Sequence, residues 1–103
     1  MITASTDFVL FEGSKTKFVC TSCVVDYKYN NLNQAYLCEI MPAVVSATTS
    51  YLGSQTYLAP KAAVDAKTGT GTNPSDKLQN QIDQVVKDYL HSITENGAVT
   101  FTI

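Results

Sequence analysis

The most regular pattern in the chain lies in its last third. Leu78, Ile82, Val85, Val86, Tyr89, Leu90 and Ile93 recur at the helical period, with polar residues filling the gaps between them. Asn73 is a suitable N-cap and Pro74 fits the first helical position, where its missing N–H costs nothing. Asp76 adds a carboxylate to the first turn. The polar residues, among them Gln79, Gln81, Asp83, Gln84, Lys87, Asp88 and His91, form an expected solvated face, with Asp83 and Lys87 as an i,i+4 ion pair. Asn96-Gly97 tolerates the left-handed conformation, so the pattern predicts a helix from Pro74 to about Glu95. Val99, Phe101 and Ile103 then alternate with Ala98, Thr100 and Thr102, which predicts a half-buried closing strand.

Earlier in the chain the period changes from that of a helix to two. Asp7 to Cys20 reads as a hairpin turning at Gly13-Ser14, in a register that sets Glu12 opposite Lys15, Val9 opposite Phe18 and Phe8 opposite Val19. Val9, Phe11 and Phe18 form its expected core face. The second strand continues to Tyr29, Asn30 to Asn33 form a turn, and Ala35 to Met41 make a third strand ended by Pro42. Residues 43–58 fit both a helical stripe closed by Gly53 and a β-branched strand, and a strand or irregular segment is the reading preferred. Residues 61–72, with the run Thr68-Gly69-Thr70-Gly71-Thr72, read as a flexible connector. The whole is one α+β domain over residues 1–103: an antiparallel sheet packed against one long C-terminal amphipathic helix, closed by a short strand.

Composition narrows the function. The chain carries a formal charge of −2 and seven Lys without an Arg, spread from Lys15 to Lys87, a poor match to a nucleic-acid surface. Only 16% of residues are charged, and neutral polar side chains take their place, as at surfaces that meet other subunits. No basic segment followed by an apolar run opens the chain, and no stretch is apolar enough to span a membrane. A cytoplasmic or virion location is the expectation.

Candidate chemistry is sparse. Cys20-Thr21-Ser22-Cys23 has the spacing of a redox pair, but it lies in an expected strand, where residues three apart face opposite ways. Only Cys38 and His91 remain to complete a metal site, so these cysteines read as buried core residues. Gly69 and Gly71 before a helix lack the remainder of a phosphate-binding loop. His91, with Asp88 one turn earlier and Ser92 beside it, reads as a solvated histidine, and Glu12, Asp26 and Glu39 show no paired acid–base pattern. No catalytic, cofactor-binding or metal site is therefore expected, nor a small-molecule substrate.

Tyr27, Tyr29 and Tyr36 flank one turn, and Tyr is favoured at contacts because it buries a large ring and keeps a polar tip. Together with Phe101 and Ile103 of the closing strand they are the expected interface residues. The sequence thus points to a non-enzymatic structural protein that self-associates, such as a virion component. The alternatives are a small monomeric protein-binding or inhibitor module and a thiol-disulfide oxidoreductase using Cys20 and Cys23.

Overall fold

The computed structural model describes residues 1–10, 19–45, 55–93 and 96–103. Its strands are β1 (Ile2–Val9), β2 (Val19–Asn30), β3 (Ala35–Val45), β4 (Gln55–Pro60) and β5 (Phe101–Thr102). They form one antiparallel sheet in the order β4-β3-β2-β1-β5. Helices α1 (Lys61–Asp65) and α2 (Pro74–Ser92) complete the α+β fold that the patterning predicts. Among the described residues no helix is long and apolar enough to cross a membrane.

The core is a single layer between α2 and one face of the sheet. Ile82, Val85, Val86 and Leu90 on the helix meet Ile2, Phe8, Cys23, Val25, Cys38 and Ile40 on the strands. Each such side chain, fully buried, contributes about 1.5–3 kcal/mol of transfer free energy. The start of α2 follows local chemistry: the Asn73 side chain accepts the Asp76 amide at 2.9 Å, and Pro74 opens the first turn.

Its end does not. The helix stops at Ser92, and Ile93 turns extended (ψ 125°) to enter the core, where it is buried. Neither Asn96 nor Gly97 takes a left-handed conformation. Asn96 is instead fully buried, its amide bonded to backbone groups of β1 and α2. Glu95 lies outside the described residues. The closing strand is shorter than expected, pairing Phe101 with Ala4 and Thr102 with Thr3.

The hairpin register differs from the expectation by one residue. Val9 faces Val19 and Phe8 faces Cys20. A one-residue slip exchanges the two faces, and it is Phe8 and Leu10 that are buried while Val9 is only half-buried. The slip lets the Phe8 ring meet Phe101 edge-on at 5.0 Å. The turn at Gly13-Ser14, with Glu12, Lys15, Phe11 and Phe18, lies outside the described residues. β1 also begins at Ile2, well before Asp7.

Two further expectations are corrected along the sheet. β3 runs through Pro42, which faces Cys23, and on to Val45. Proline is tolerated there because β4 reaches only as far as Ile40, so no described strand lies beyond Pro42 on the other side. In β2 the register shifts between Cys20 and Ser22, a bulge that returns Cys20 and Cys23 to the same core-facing side.

The expected solvated face of α2 is also largely engaged. Asp83 is buried and accepts from Gln79 Nε2 at 2.9 Å, with the Met1 ammonium at 3.4 Å in place of Lys87. Gln79 also donates to the Val25 carbonyl at 3.1 Å. Gln81 donates to the carbonyls of Val64 (3.3 Å) and Lys67 (2.9 Å), and Gln84 to that of Thr68 (2.9 Å). The Thr70 amide donates to Asn80 Oδ1 at 3.1 Å. These bonds lay the connector after α1 along the helix. Gly69 is needed for that approach, because a Cβ there would lie 2.4 Å from the Lys77 carbonyl oxygen.

Candidate functional site

The three cysteines sit in the core, fully buried and unpaired as thiols. Burial, with weaker repulsion from neighbouring Asp7 or Asp83, pushes the Cys20 and Cys23 thiols up from 9.0 to about 12. Burial likewise raises Cys38 to about 11, against a weaker lowering by a backbone hydrogen bond from Ala59. The bulge brings Cys20 and Cys23 to one side, but into a place where the nucleophilic thiolate is disfavoured. Among the described residues no three His, Cys, Asp or Glu side chains gather as a metal-ligand set.

Asp88, His91 and Ser92 line one shallow cleft of about 510 Å³ with Lys87, Thr100 and Phe101. Asp88, His91 and Ser92 do not bond to one another within it. Asp88 binds Lys67 at 2.7 Å, Ser92 Oγ donates to the Tyr89 carbonyl at 2.5 Å, and the His91 ring stands edge-on to Phe101 at 6.4 Å between centroids. Cys38 does not reach this cleft; it lies under the helix among core residues. Gly69 and Gly71 serve the docking of the connector, Gly71 with φ +148° and so placed that a Cβ on it would lie 2.5 Å from the Asp76 Cβ.

The tyrosines do gather. Tyr29 and Tyr36 are cross-strand partners with rings 5.1 Å apart, and Tyr27 meets Tyr36 edge-on at 6.0 Å. Tyr29 donates to Gln34 Oε1 at 3.2 Å and remains exposed, whereas Tyr27 and Tyr36 are half-buried. Phe101 is buried against Phe8, and Ile103 is exposed at the far end of the sheet. Six residues of β2 separate the level of Tyr29 from that of Cys23, beside which β5 joins, or roughly 20 Å along the strand. The structure therefore splits the expected interface residues into two places.

A larger feature was not visible in the sequence. The helix covers one sheet face, and the pairing register identifies what the other face carries. Successive cross-strand sets on it are Leu58–Leu37–Lys28, Thr56–Glu39–Asp26 and Met41–Val24. Leu37 is 44% exposed, Leu58 41% and Val24 38%. Asp26 and Glu39 stand directly opposite one another, an unfavourable like-charge pair, and no described ion pair neutralises either. Its signal in the sequence was the alternation in Val24-Val25-Asp26 and Leu37-Cys38-Glu39, where both alternating sets contain apolar residues.

No family model, curated protein or solved structure matches this chain.

Proposed function

We propose that this chain is a non-enzymatic structural subunit that self-associates, a component of a larger assembly such as a virion. The observation that carries the reading is the sheet face that no described element covers, where Leu37 and Leu58 are exposed as cross-strand neighbours and Val24 is exposed beyond the Asp26–Glu39 pair. Large apolar side chains left exposed together on one face mark a contact surface in a folded chain. The low charge content supports the same reading, because charged residues are depleted from the centres of interfaces. Against a thiol-disulfide oxidoreductase stand the burial of Cys20 and Cys23 and their raised thiol pKa.

A protein-binding or inhibitor module would use the same face with a different partner. Sedimentation equilibrium at micromolar concentration separates the two. A subunit gives a mass of at least two chains, and electron microscopy then shows closed or extended particles. A clean monomer of 11.2 kDa without particles overturns self-association and favours the binding module. Val24→Lys places a charge at an apolar position of this face and is expected to reduce assembly beyond a dimer while leaving the far-ultraviolet spectrum unchanged.

A further inference from the structure

The sheet has two edges of very different kinds. β5, at one edge, is two residues long. β4, at the other, is six residues long and its sequence, Gln-Thr-Tyr-Leu-Ala-Pro, contains no charge. Natural edge strands are usually blunted by a charge, a bulge, an early proline or a covering segment. β4 has only Pro60 at its last position, and no described element covers its outer side.

The direction of its free backbone groups follows from the register. Lys61 N donates to the Gln34 carbonyl at 3.0 Å, and the residues of β4 pair with β3 in the same register. Hydrogen-bonded pairs alternate in an antiparallel ladder, so Ala59, Tyr57 and Gln55 turn their backbone groups inward to β3. Thr56 and Leu58 turn their N–H and C=O outward, and Pro60, which has no N–H, also points outward, where none is missed. Among the described residues neither outward amide has an acceptor.

Side chains on both faces of this edge are equally unmet. Leu58 is exposed on the open face. On the helix side, Tyr57 stacks on Tyr89 at 4.1 Å, and these rings with Ala63, Ala66 and Val85 line an open groove of about 480 Å³ whose rim carries the Lys67–Asp88 ion pair. Backbone, open face and groove all demand a partner along one line.

We infer that a second copy of this chain pairs antiparallel with β4 through its own β4, about a two-fold axis at Tyr57, giving one continuous ten-stranded sheet across the dimer. The inference rests on the self-association proposed above and names its first contact. An axis at Tyr57 sets Thr56 opposite Leu58 of the second copy, and the reverse, so that four backbone hydrogen bonds form between outward groups. It brings the two Tyr57 side chains together on the helix side, closing the grooves on each other, and extends the two open faces into one. A second copy fits because the strand is complementary to itself under that axis: its charge-free residues bring no like charges together. The flank is roughly 20 Å long and the molecule 22 Å in its thinnest dimension. With the corrugation of a protein surface this approaches the roughly 600 Å² per partner at the low end of stable interfaces.

Thr56→Pro tests the pairing. The substitution removes an outward N–H and leaves every inward bond to β3 intact, so the monomer fold tolerates it. Sedimentation equilibrium of the wild type is expected to give a dimer or a multiple of it. Thr56→Pro is expected to raise the dimer dissociation constant about 100-fold with an unchanged circular dichroism spectrum. Val24→Lys, two strands away, is expected to leave this dimer intact and to reduce only the assembly beyond it. Hydrogen exchange on the wild type gives a reading that needs no variant: the Thr56 and Leu58 amides are protected at concentrations above the dissociation constant and lose protection on dilution. If the wild type associates but these amides exchange freely, or Thr56→Pro folds and associates equally well, the β4 pairing is wrong while self-association stands. A wild-type monomer at 11.2 kDa overturns both.

Discussion

Asn96→Ala is the substitution with the largest expected effect relative to its size. The Asn96 side chain is fully buried and works as a piece of backbone. Its Oδ1 accepts the Val9 amide at 2.8 Å, and its Nδ2 donates to the Val9 carbonyl at 2.9 Å and to the Leu90 carbonyl at 3.1 Å. One amide thus ties the end of β1 to the end of α2, where the left-handed cap that would otherwise close the helix is absent. Alanine leaves the donor and the acceptor of Val9 without partners, whereas the Leu90 carbonyl keeps its bond from the Ile93 amide. Each buried group so orphaned costs about 1–3 kcal/mol, and water reaching the half-buried Val9 recovers part of this, so about 2–4 kcal/mol is expected. Total stability for a domain of this size is about 5–15 kcal/mol, so a sizeable share of it depends on this side chain. Urea unfolding followed by circular dichroism should show a lower midpoint at unchanged slope. Asn96→Asp adds a signature that a cavity would not. Its ionised carboxylate still accepts from Val9 but faces two carbonyls with no donor. The folded state therefore favours the protonated acid, its pKa is raised, and stability falls as pH rises through the carboxyl range. A loss below about 1 kcal/mol for Asn96→Ala, within the range of an ordinary surface change, would refute the role of this clamp.

Other expectations follow from the packing. The three thiols stay neutral when folded, while unfolded thiols ionise above their ordinary value of 9.0. The unfolded state then binds fewer protons, so stability holds below pH 9 and falls between pH 9 and 11 by up to about 1.4 kcal/mol per pH unit for each thiol. Urea midpoints across that range should fall less steeply when Cys23 is replaced by Ala, and an identical slope would count against the buried thiols. Gly69→Ala forces a Cβ against the Lys77 carbonyl, and an overpacking cost of about 1–3 kcal/mol should appear as a lowered Tm. Asn73→Ala removes the acceptor for the Asp76 amide; a loss of about 1 kcal/mol by urea titration is expected, and none would mean the cap is idle.

Much of the architecture was legible because its signals are local. The stripe from Leu78 to Ile93 and the Asn73-Pro74 start specify a helix through neighbours three and four residues apart. The alternation in β2 and β3 and the Asn30–Asn33 turn likewise fix a hairpin from adjacent residues. The gathering of Tyr27, Tyr29 and Tyr36 follows directly from that hairpin.

What the sequence left open depends on partners far along the chain. The β1–β2 register goes with Phe8 meeting Phe101, ninety-three positions away. Asp83 and Gln81 look solvated on a helical wheel, yet the connector and the first strand come to lie on them. Asn96 looks like a turn residue, and only the meeting of β1 with the end of α2 makes its amide a buried clamp. Which face of the sheet the helix covers was undetermined for the same reason: with Val24, Leu37 and Leu58 on one side and Val25, Cys38 and Ile40 on the other, both are apolar enough to be buried. A single layer of helix can remove only one of them from water, so tertiary packing decided which patch remains exposed.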